Sequence, residues 1–177
     1  GLVASVYTQL KTEVITALSD GGIEQRLTTL EGVRRTAVLD KLVTVEGELA
    51  FPSLPAAILD LAGTVSVHDL KVLNAKAVVK GTLSVLCAWR AEGDNTLQSQ
   101  SVELPFNQVL DVDGLSEDCR CLCVAEPVGF TVTQGEGDAP SALSATVMLR
   151  LRAWRPYQLQ CVADAFSTQY ETDPVPQ

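Results

Sequence analysis

The sequence lacks an excess of positive charge: 13 lysines and arginines stand against 22 aspartates and glutamates, for a formal net charge of −9. A nucleic-acid partner requires a basic stripe that neutralises phosphates, and an anionic membrane surface requires a similar patch. We therefore expect neither partner. No apolar run approaches the length needed to cross a bilayer, so we also expect no membrane span.

The chain does not lack core-forming residues. Its 177 residues are 46% hydrophobic and 20% charged, which is sufficient for one sizeable domain with a real core. It has five cysteines, an odd number that leaves at least one thiol free or paired with another chain in an oxidising compartment. A chain of this size needs no disulfide scaffold, so cysteine usage does not fix the redox compartment.

Residues 1–32 are predicted to be an N-terminal arm or helical segment, and they could be a linker from a preceding repeat. Val3, Leu10 and Leu18 follow helical spacing, and Asp20-Gly21-Gly22 is a typical helix stop. Residues 23–32 could add a second, short helical turn. The many β-branched residues favour an extended arm instead, and the sequence leaves both alternatives open.

From residue 33 to about 170 the hydrophobic pattern changes to the period of two that is typical of β-strands. Short alternating segments are separated by turn-like residues, and residues 54–63 resemble a proline-started connector. We therefore predict an all-β domain, an antiparallel β-sandwich or flattened barrel, followed by an extended tail at 171–177. The predicted strands include 37–49, 64–73, 76–90, 96–106, 119–125, 129–133, 142–155 and 157–170, with Pro156 separating the last two.

Three cysteines occupy alternate positions of one predicted strand, Cys119, Cys121 and Cys123. Side chains alternate between the two faces of a strand, so the three thiols share one face, and the charged neighbours take the other. We expect the cysteine face to point inward, although Leu122 and Val124 could form a second buried face. The same alternation turns Cys87, Trp89, Tyr157 and Cys161 inward.

Three chemical interpretations of these cysteines remain. They could be small buried thiols, which are common in protein cores. They could form disulfide cross-links within or between chains, but neighbours two apart on a strand have β-carbons roughly 7 Å apart, whereas a disulfide needs about 3.5–4.5 Å. A partner would then be Cys87, Cys161 or a cysteine of another subunit. A structural metal site is the third alternative, but the spacing is not that of a zinc knuckle.

Other motifs predict surface features rather than catalysis. The single histidine, His68, is expected on a strand surface, and the acidic turn at 111–118 lacks the glycine position of a calcium loop. Arg150, Arg152, Trp154 and Arg155 form a predicted outward stripe, which is either a solvated strand face or a contact patch for an acidic partner surface. No set of residues builds an active site, so we expect no catalytic, cofactor-binding or metal-ligating residues and a non-enzymatic protein.

Several ordered segments resemble the SPOCS-type domain, a spore-coat and sporulation-associated family of endospore-forming bacteria. Residues 59–89 are similar to its entry, with a Leu-Asp connector, two strands and Val-Lys-Gly-x-Leu. Residues 101–114 resemble its Pro-Phe strand and acidic turn. Residues 149–168 resemble its last hairpin, in which Asp164, Ala165, Phe166 and Ser167 occupy the closing motif.

The resemblance covers roughly residues 55–170 and implies an all-β module that assembles spore envelope layers. We therefore expect a structural protein of the spore surface (coat, exosporium or appendage) whose partners are other copies of itself and other spore-envelope proteins. It would self-associate through sheet edges and its terminal arms. The alternative is a sandwich that binds envelope glycan or a coat morphogenetic partner. The cysteine segment departs from the family pattern, where alternating aliphatic residues are the rule.

Overall fold

The computed structural model describes residues 13–18, 22–52, 55–93, 96–135 and 139–167. The chain divides into two compact units. One is continuous, Arg34–Arg155, and the other combines Gly1–Val33 with Pro156–Gln177. The continuous unit contains most of the residues that sequence patterns single out.

All regular secondary structure among the described residues is β-strand. The six strands form two three-stranded sheets with the orders β1-β6-β5 and β2-β3-β4, and the pairings β2–β3, β3–β4 and β5–β6 are antiparallel. The strands are β1 Glu24–Leu49, β2 Pro55–Leu73, β3 Lys76–Ala91, β4 Leu97–Asp111, β5 Arg120–Thr133 and β6 Ser141–Phe166.

The core of the unit 34–155 lies between the inner faces of the central strands β3 and β6. Side chains alternate between the two faces of a strand, and the inward positions of both strands are apolar almost throughout, so each strand has one buried face. Leu83 and Val85 of β3, and Leu149 and Leu151 of β6, are completely inaccessible to solvent. The four edge strands contribute fewer buried side chains, because each has a sheet neighbour on one side only.

Two glycines show how closely the sheets approach. A β-carbon at Gly63 of β2 would lie 2.5 Å from the Phe130 ring of β5. On the other side of the unit, a β-carbon at Gly47 of β1 would overlap the Leu104 side chain of β4. The missing side chains admit these two large residues, so β2 packs over β5 and β1 over β4, as in a face-to-face sandwich.

The turn between β2 and β3 is fixed by the loop between β4 and β5. Ala75 has φ of 58°, a left-handed conformation that costs a residue with a β-carbon about 1–2 kcal/mol. Its amide nitrogen donates to Leu115 O at 2.9 Å, and its carbonyl accepts from the Val112 amide at 2.9 Å. These two backbone hydrogen bonds offset the strain and join the two connections at one end of the sandwich.

The second unit contains residues 24–33 of β1 and 156–166 of β6. The Tyr157 ring covers Gly32, where a β-carbon would lie 2.8 Å from the ring, and Gln158 donates a hydrogen bond to Glu31 at 2.9 Å. The Val162 amide donates to Ile15 O at 2.7 Å. A segment that precedes β1 thus forms a backbone hydrogen bond with β6.

The predicted all-β, antiparallel fold is confirmed, and its form is a sandwich of two open sheets rather than a closed, flattened barrel. Two details are wrong. Residues 55–63 are not a connector but the first part of β2, because a proline is accepted as the first residue of a strand. Pro156 does not divide the last two strands, since β6 is continuous through it.

The helical prediction for the N-terminal region is wrong wherever the structure describes it. Residues 24–32 belong to β1, and 13–18 have no regular secondary structure; residues 1–12 and 19–21 of that prediction lie outside the described residues. Tyr157, predicted to face inward, is 48% exposed.

No helix suited to spanning a membrane occurs in the described part of the chain. The domain boundaries at 32/33 and 170/171 stay predictions, and the tail 171–177 is also outside the described residues.

Candidate functional site

The cysteine face of β5 points into the sandwich, as alternation predicts. Cys119, just before the strand, and Cys123 are each 8% exposed, and Cys121 between them is partly buried. On the opposite face Leu122 is 54% and Val124 45% exposed, so these two side chains do not form a second buried face. The thiols therefore line the core side of β5.

Cys119 has a polar environment that its two neighbours lack. Its sulfur lies 3.2 Å from the Ser116 hydroxyl and 3.4 Å from the Thr36 hydroxyl, and its amide donates to Ser116 O at 3.0 Å. Beside it, Arg155 Nε lies 2.9 Å from Asp118 Oδ2, and the Arg155 guanidinium also donates to the Ser116 hydroxyl. Two hydroxyls and a guanidinium thus surround the first thiol.

These surroundings separate the acidities of the three thiols. The hydrogen bond from the Ser116 hydroxyl, assisted by Thr36, lowers the pKa of Cys119. Burial raises the pKa of Cys121 and that of Cys123 to about 11. Ser116 also donates to Asp118 at 2.5 Å. The Thr36 hydroxyl likewise donates to Ala153 O at 3.4 Å, so each of the two hydroxyls divides its single hydrogen between the Cys119 sulfur and another acceptor.

The two other cysteines lie on other strands. Cys87 is completely buried on the inner face of β3, where burial raises the pKa of its thiol. Cys161 is 6% exposed in the part of β6 that belongs to the second unit. All five thiols are free in the structure. Cross-linking between chains stays a prediction, and the described residues contain no cluster of ligands that could hold a metal ion.

The predicted arginine and tryptophan stripe is divided by the structure. Arg150, Arg152 and Trp154 lie on the outer face of β6, opposite Val124, Leu122 and Arg120 of β5, respectively. Arg155 does not extend this stripe, because it pairs with Asp118 and Ser116 of the loop before β5. The stripe on the outer face therefore has three members.

Both outward arginines of the stripe form ion pairs with neighbouring strands. Arg150 Nη1 lies 2.7 Å from Glu126 Oε2 of β5, and Arg152 Nη1 lies 2.5 Å from Asp40 Oδ1 of β1. The hydrogen bond from Arg152 lowers the pKa of Asp40. The stripe is thus neutralised by carboxylates of its own sheet.

Sequence patterns missed how much apolar surface surrounds this stripe. Val38 and Leu42 of β1 alternate with the buried Ala37 and Val43, and they are 50% and 55% exposed. With Leu122 and Val124 they extend the apolar surface across all three strands of the sheet. The sequence contains a signal of this surface, because the residues that alternate with the buried ones on β1 and β5 are apolar. Alternation alone does not distinguish an exposed apolar face from a second buried face.

The remaining candidates give surface features. His68 is exposed, with Nε2 3.0 Å from the Thr82 hydroxyl of β3, and Asp111 of the acidic turn pairs with Lys76 at 3.0 Å. An open cleft of about 240 Å³ is lined by Pro55, Ala56, Ala57, Ile58, Val132, Gln134 and Ser141. It offers no aromatic ring for a sugar to stack on.

The fold and these surfaces define a small all-β module of two open sheets whose most distinctive surface is an outer sheet face. Residues 56–133 match the family model described as SipL, SPOCS domain, so this part of the chain is similar to a SPOCS domain. The match contains β2, β3, β4 and β5 and bears out the resemblance seen in the sequence for these strands, whereas the resemblance of residues 149–168 stays a prediction. It indicates a sporulation-associated protein of an endospore-forming bacterium. No curated protein and no solved structure matches the chain.

Proposed function

We propose that this chain is a non-enzymatic structural protein of the spore envelope or spore surface, which self-associates through sheet edges and terminal segments. The observation that carries the proposal is a sporulation-associated domain built from two open sheets. Four of the six strands are edges, and the unpaired backbone groups along an edge are the template on which a strand of another chain adds.

The edges differ in how well they are protected from such addition. β2, β4 and β5 contain Pro55, Pro105 and Pro127, respectively, and the pairings of β2 and β5 also have register irregularities. Proline and bulges hinder strand addition at an edge. β1 has no proline from residue 24 to 49. It is therefore the edge best suited to receive a strand, except around the exposed Lys41, because a charge there discourages pairing.

The N-terminal segment provides a donor for strand addition. The hydrogen bond from the Val162 amide to Ile15 O shows that residues before β1 can pair with a strand through their backbone. The same pairing made with a neighbouring chain would connect two copies. A head-to-tail contact of this kind does not close on itself and produces a fibre or a layer.

Electron microscopy of the purified chain tests assembly directly. We expect fibres or sheets for the full chain and shorter or no assemblies when residues 1–18, which include Ile15, are deleted. A matched deletion of 171–177 separates the contributions of the two ends, and circular dichroism confirms that each variant keeps its β-structure. A full chain that stays strictly monomeric at all concentrations would remove the assembly proposal.

The proposed location has its own test. Immunogold labelling of intact spores with antibody against this chain should decorate the outermost layers, and labelling confined to the mother-cell cytoplasm would contradict a spore-surface role. The glycan-binding alternative has less support, because Trp89 is buried and the open cleft is lined by small and aliphatic side chains.

A further inference from the structure

The outer face of the sheet β1-β6-β5 has the composition of a protein interface. Its apolar residues in the unit 34–155 are Val38, Leu42, Leu122, Val124, Met148 and Trp154, and we call this surface the arginine face because Arg150 and Arg152 lie at its centre. Interfaces are enriched in aromatic residues, methionine and arginine and depleted in lysine. The arginine face contains the only methionine of the chain.

The opposite outer face provides the contrast within the same unit. On β3, the outward residues Thr82 and Ser84 pair with Ser66 and Thr64 of β2. That face also exposes aliphatic side chains, Leu86 of β3 and Leu97 and Val109 of β4. Its outward cations on β3 include Lys80, and neither the methionine nor a tryptophan lies on it, because Met148 and Trp154 belong to β6 and Trp89 is buried. The two outer faces therefore differ in methionine, tryptophan and paired arginine, the residues enriched at interfaces, and not in exposed aliphatic side chains.

Charge on the arginine face indicates which partner it fits. Arg150 and Arg152 already pair with Glu126 and Asp40, so a purely acidic partner would have to compete with these carboxylates. A second copy offers the same pattern of alternating sign. Two such faces related by a twofold axis can bring arginine to carboxylate in both directions. Elsewhere the net charge of −9 makes copies repel each other.

We propose that the arginine face is a symmetric contact with a second copy of this chain. This contact is separate from the edge contacts of the proposed self-assembly. It rests on that proposal only because the partner in both contacts is a second copy of this chain. A closed dimer made through faces and an open contact made through edges are the two independent interactions that a layer requires.

A matched pair of leucines tests the contact. Leu122 on the arginine face is 54% exposed, and Leu86 on the outer face of β3 is 48% exposed. Lysine at either position has a similar effect on the monomer. In sedimentation equilibrium, Leu122→Lys should raise the dissociation constant of the dimer about tenfold or more, because it places an unpaired charge in the contact. Leu86→Lys should leave it unchanged.

A mixing experiment tests the symmetry. Arg150→Glu makes the face acidic at this pair, and Glu126→Arg makes it basic, so each variant alone should dimerise more weakly than wild type. An equimolar mixture should form a heterodimer tighter than either homodimer, because unlike faces then meet. A role confined to folding would give no such recovery on mixing.

The outcomes separate this inference from the self-assembly proposal. Association that is equally strong in Leu122→Lys and Leu86→Lys overturns the face contact and leaves edge assembly standing. Dimers that grow no further and are lost in Leu122→Lys support the face contact and contradict edge assembly. A wild-type chain that is monomeric at every concentration overturns both.

Discussion

The sheets β2-β3-β4 and β1-β6-β5 are alike on their inner faces and different on their outer ones. Each has a central strand with a fully buried apolar side, represented by Leu83 in β3 and Leu149 in β6. Outside, both sheets expose aliphatic side chains, but only the second combines them with methionine, tryptophan and paired arginines. The inner faces must fill one shared core, whereas the outer faces are free to differ. A difference there therefore reflects what each face contacts.

The largest expected effect tests the shared core. Leu83→Ala and Leu149→Ala each remove a completely buried side chain, one from each sheet. Each should lower the free energy of unfolding by about 2–5 kcal/mol in urea denaturation. Leu86→Ala is the control, expected to change it by less than about 0.5 kcal/mol. Separate transitions for the two sheets would break the comparison, because each sheet would then have its own core.

A second effect concerns the thiols of the two inner faces. Cys119 and Cys123 are equally exposed, at 8%, but the pKa of Cys119 is below its ordinary value of 9.0 and that of Cys123 is about 11. Thiolate is the reactive form, so iodoacetamide at pH 8 should modify Cys119 much faster than Cys123. Cys87 of the other sheet, completely buried, should stay unmodified. Mass spectrometry of digests measures all three.

The cause of the low pKa of Cys119 can be removed. Ser116→Ala eliminates the hydroxyl that stabilises the thiolate. In this variant the labelling of Cys119 should therefore require a higher pH than in the wild type. The raised pKa of Cys123 makes the free energy of unfolding depend on pH. The contribution of this thiol is fully present below pH 9.0 and is lost as pH rises through about 11. Equal labelling rates for Cys119 and Cys123 would contradict the assigned environments.

A third, smaller effect compares one glycine from each sheet. At Gly81 of β3 a β-carbon would lie 2.5 Å from both Ser66 O and the Phe106 ring, whereas nothing lies within 4 Å at Gly129 of β5. Gly81→Ala should lower the free energy of unfolding by about 1–3 kcal/mol through overpacking. Gly129→Ala should change it by less than about 0.5 kcal/mol. Similar melting temperatures for the two variants would show that β3 is packed more loosely than this geometry implies.

The smallest effect compares the ion pairs of the two sheets. Arg152 is 25% exposed and pairs with Asp40 at 2.5 Å, while Lys76 is 55% exposed and pairs with Asp111 at 3.0 Å. A double-mutant cycle with Arg152→Met and Asp40→Asn should give about 0.2–1 kcal/mol, and the cycle for Lys76 should give less. Because the pKa of Asp40 is lowered, its contribution is present above its unfolded pKa and lost as pH falls. A larger coupling for the lysine pair would reverse this ranking.

Much of the fold could be predicted from alternation. The inward direction of Cys87 and of the thiols of β5 follows from period two, because polar side chains such as Arg120 must take the other face. Alternation failed at Tyr157 and Pro156, where the chain enters the second unit. There the burial of a residue depends on which segments pack beside it, and the local pattern does not contain that information.

The candidate surface could be predicted only in part. Arg150, Arg152 and Trp154 were assigned to one outward stripe, but Arg155 was not separated from them, because its pairing partner Asp118 is distant in sequence. The polar environment of Cys119 was missed partly for the same reason, because Thr36 lies on another strand. Ser116 is only three residues away, but the pattern of residues does not show that the turn brings its hydroxyl to the sulfur.

The sequence by itself determined an all-β chain, the inner and outer sides of most strands, and the SPOCS resemblance, because period two and local motifs express what each strand needs. The tertiary structure alone decided which edges stay open, which thiol has a lowered pKa, and that one outer face joins paired arginines with exposed leucines and valines. These properties depend on which strands become neighbours. Strand neighbours are set by long-range packing, and a linear pattern of residues does not encode it locally.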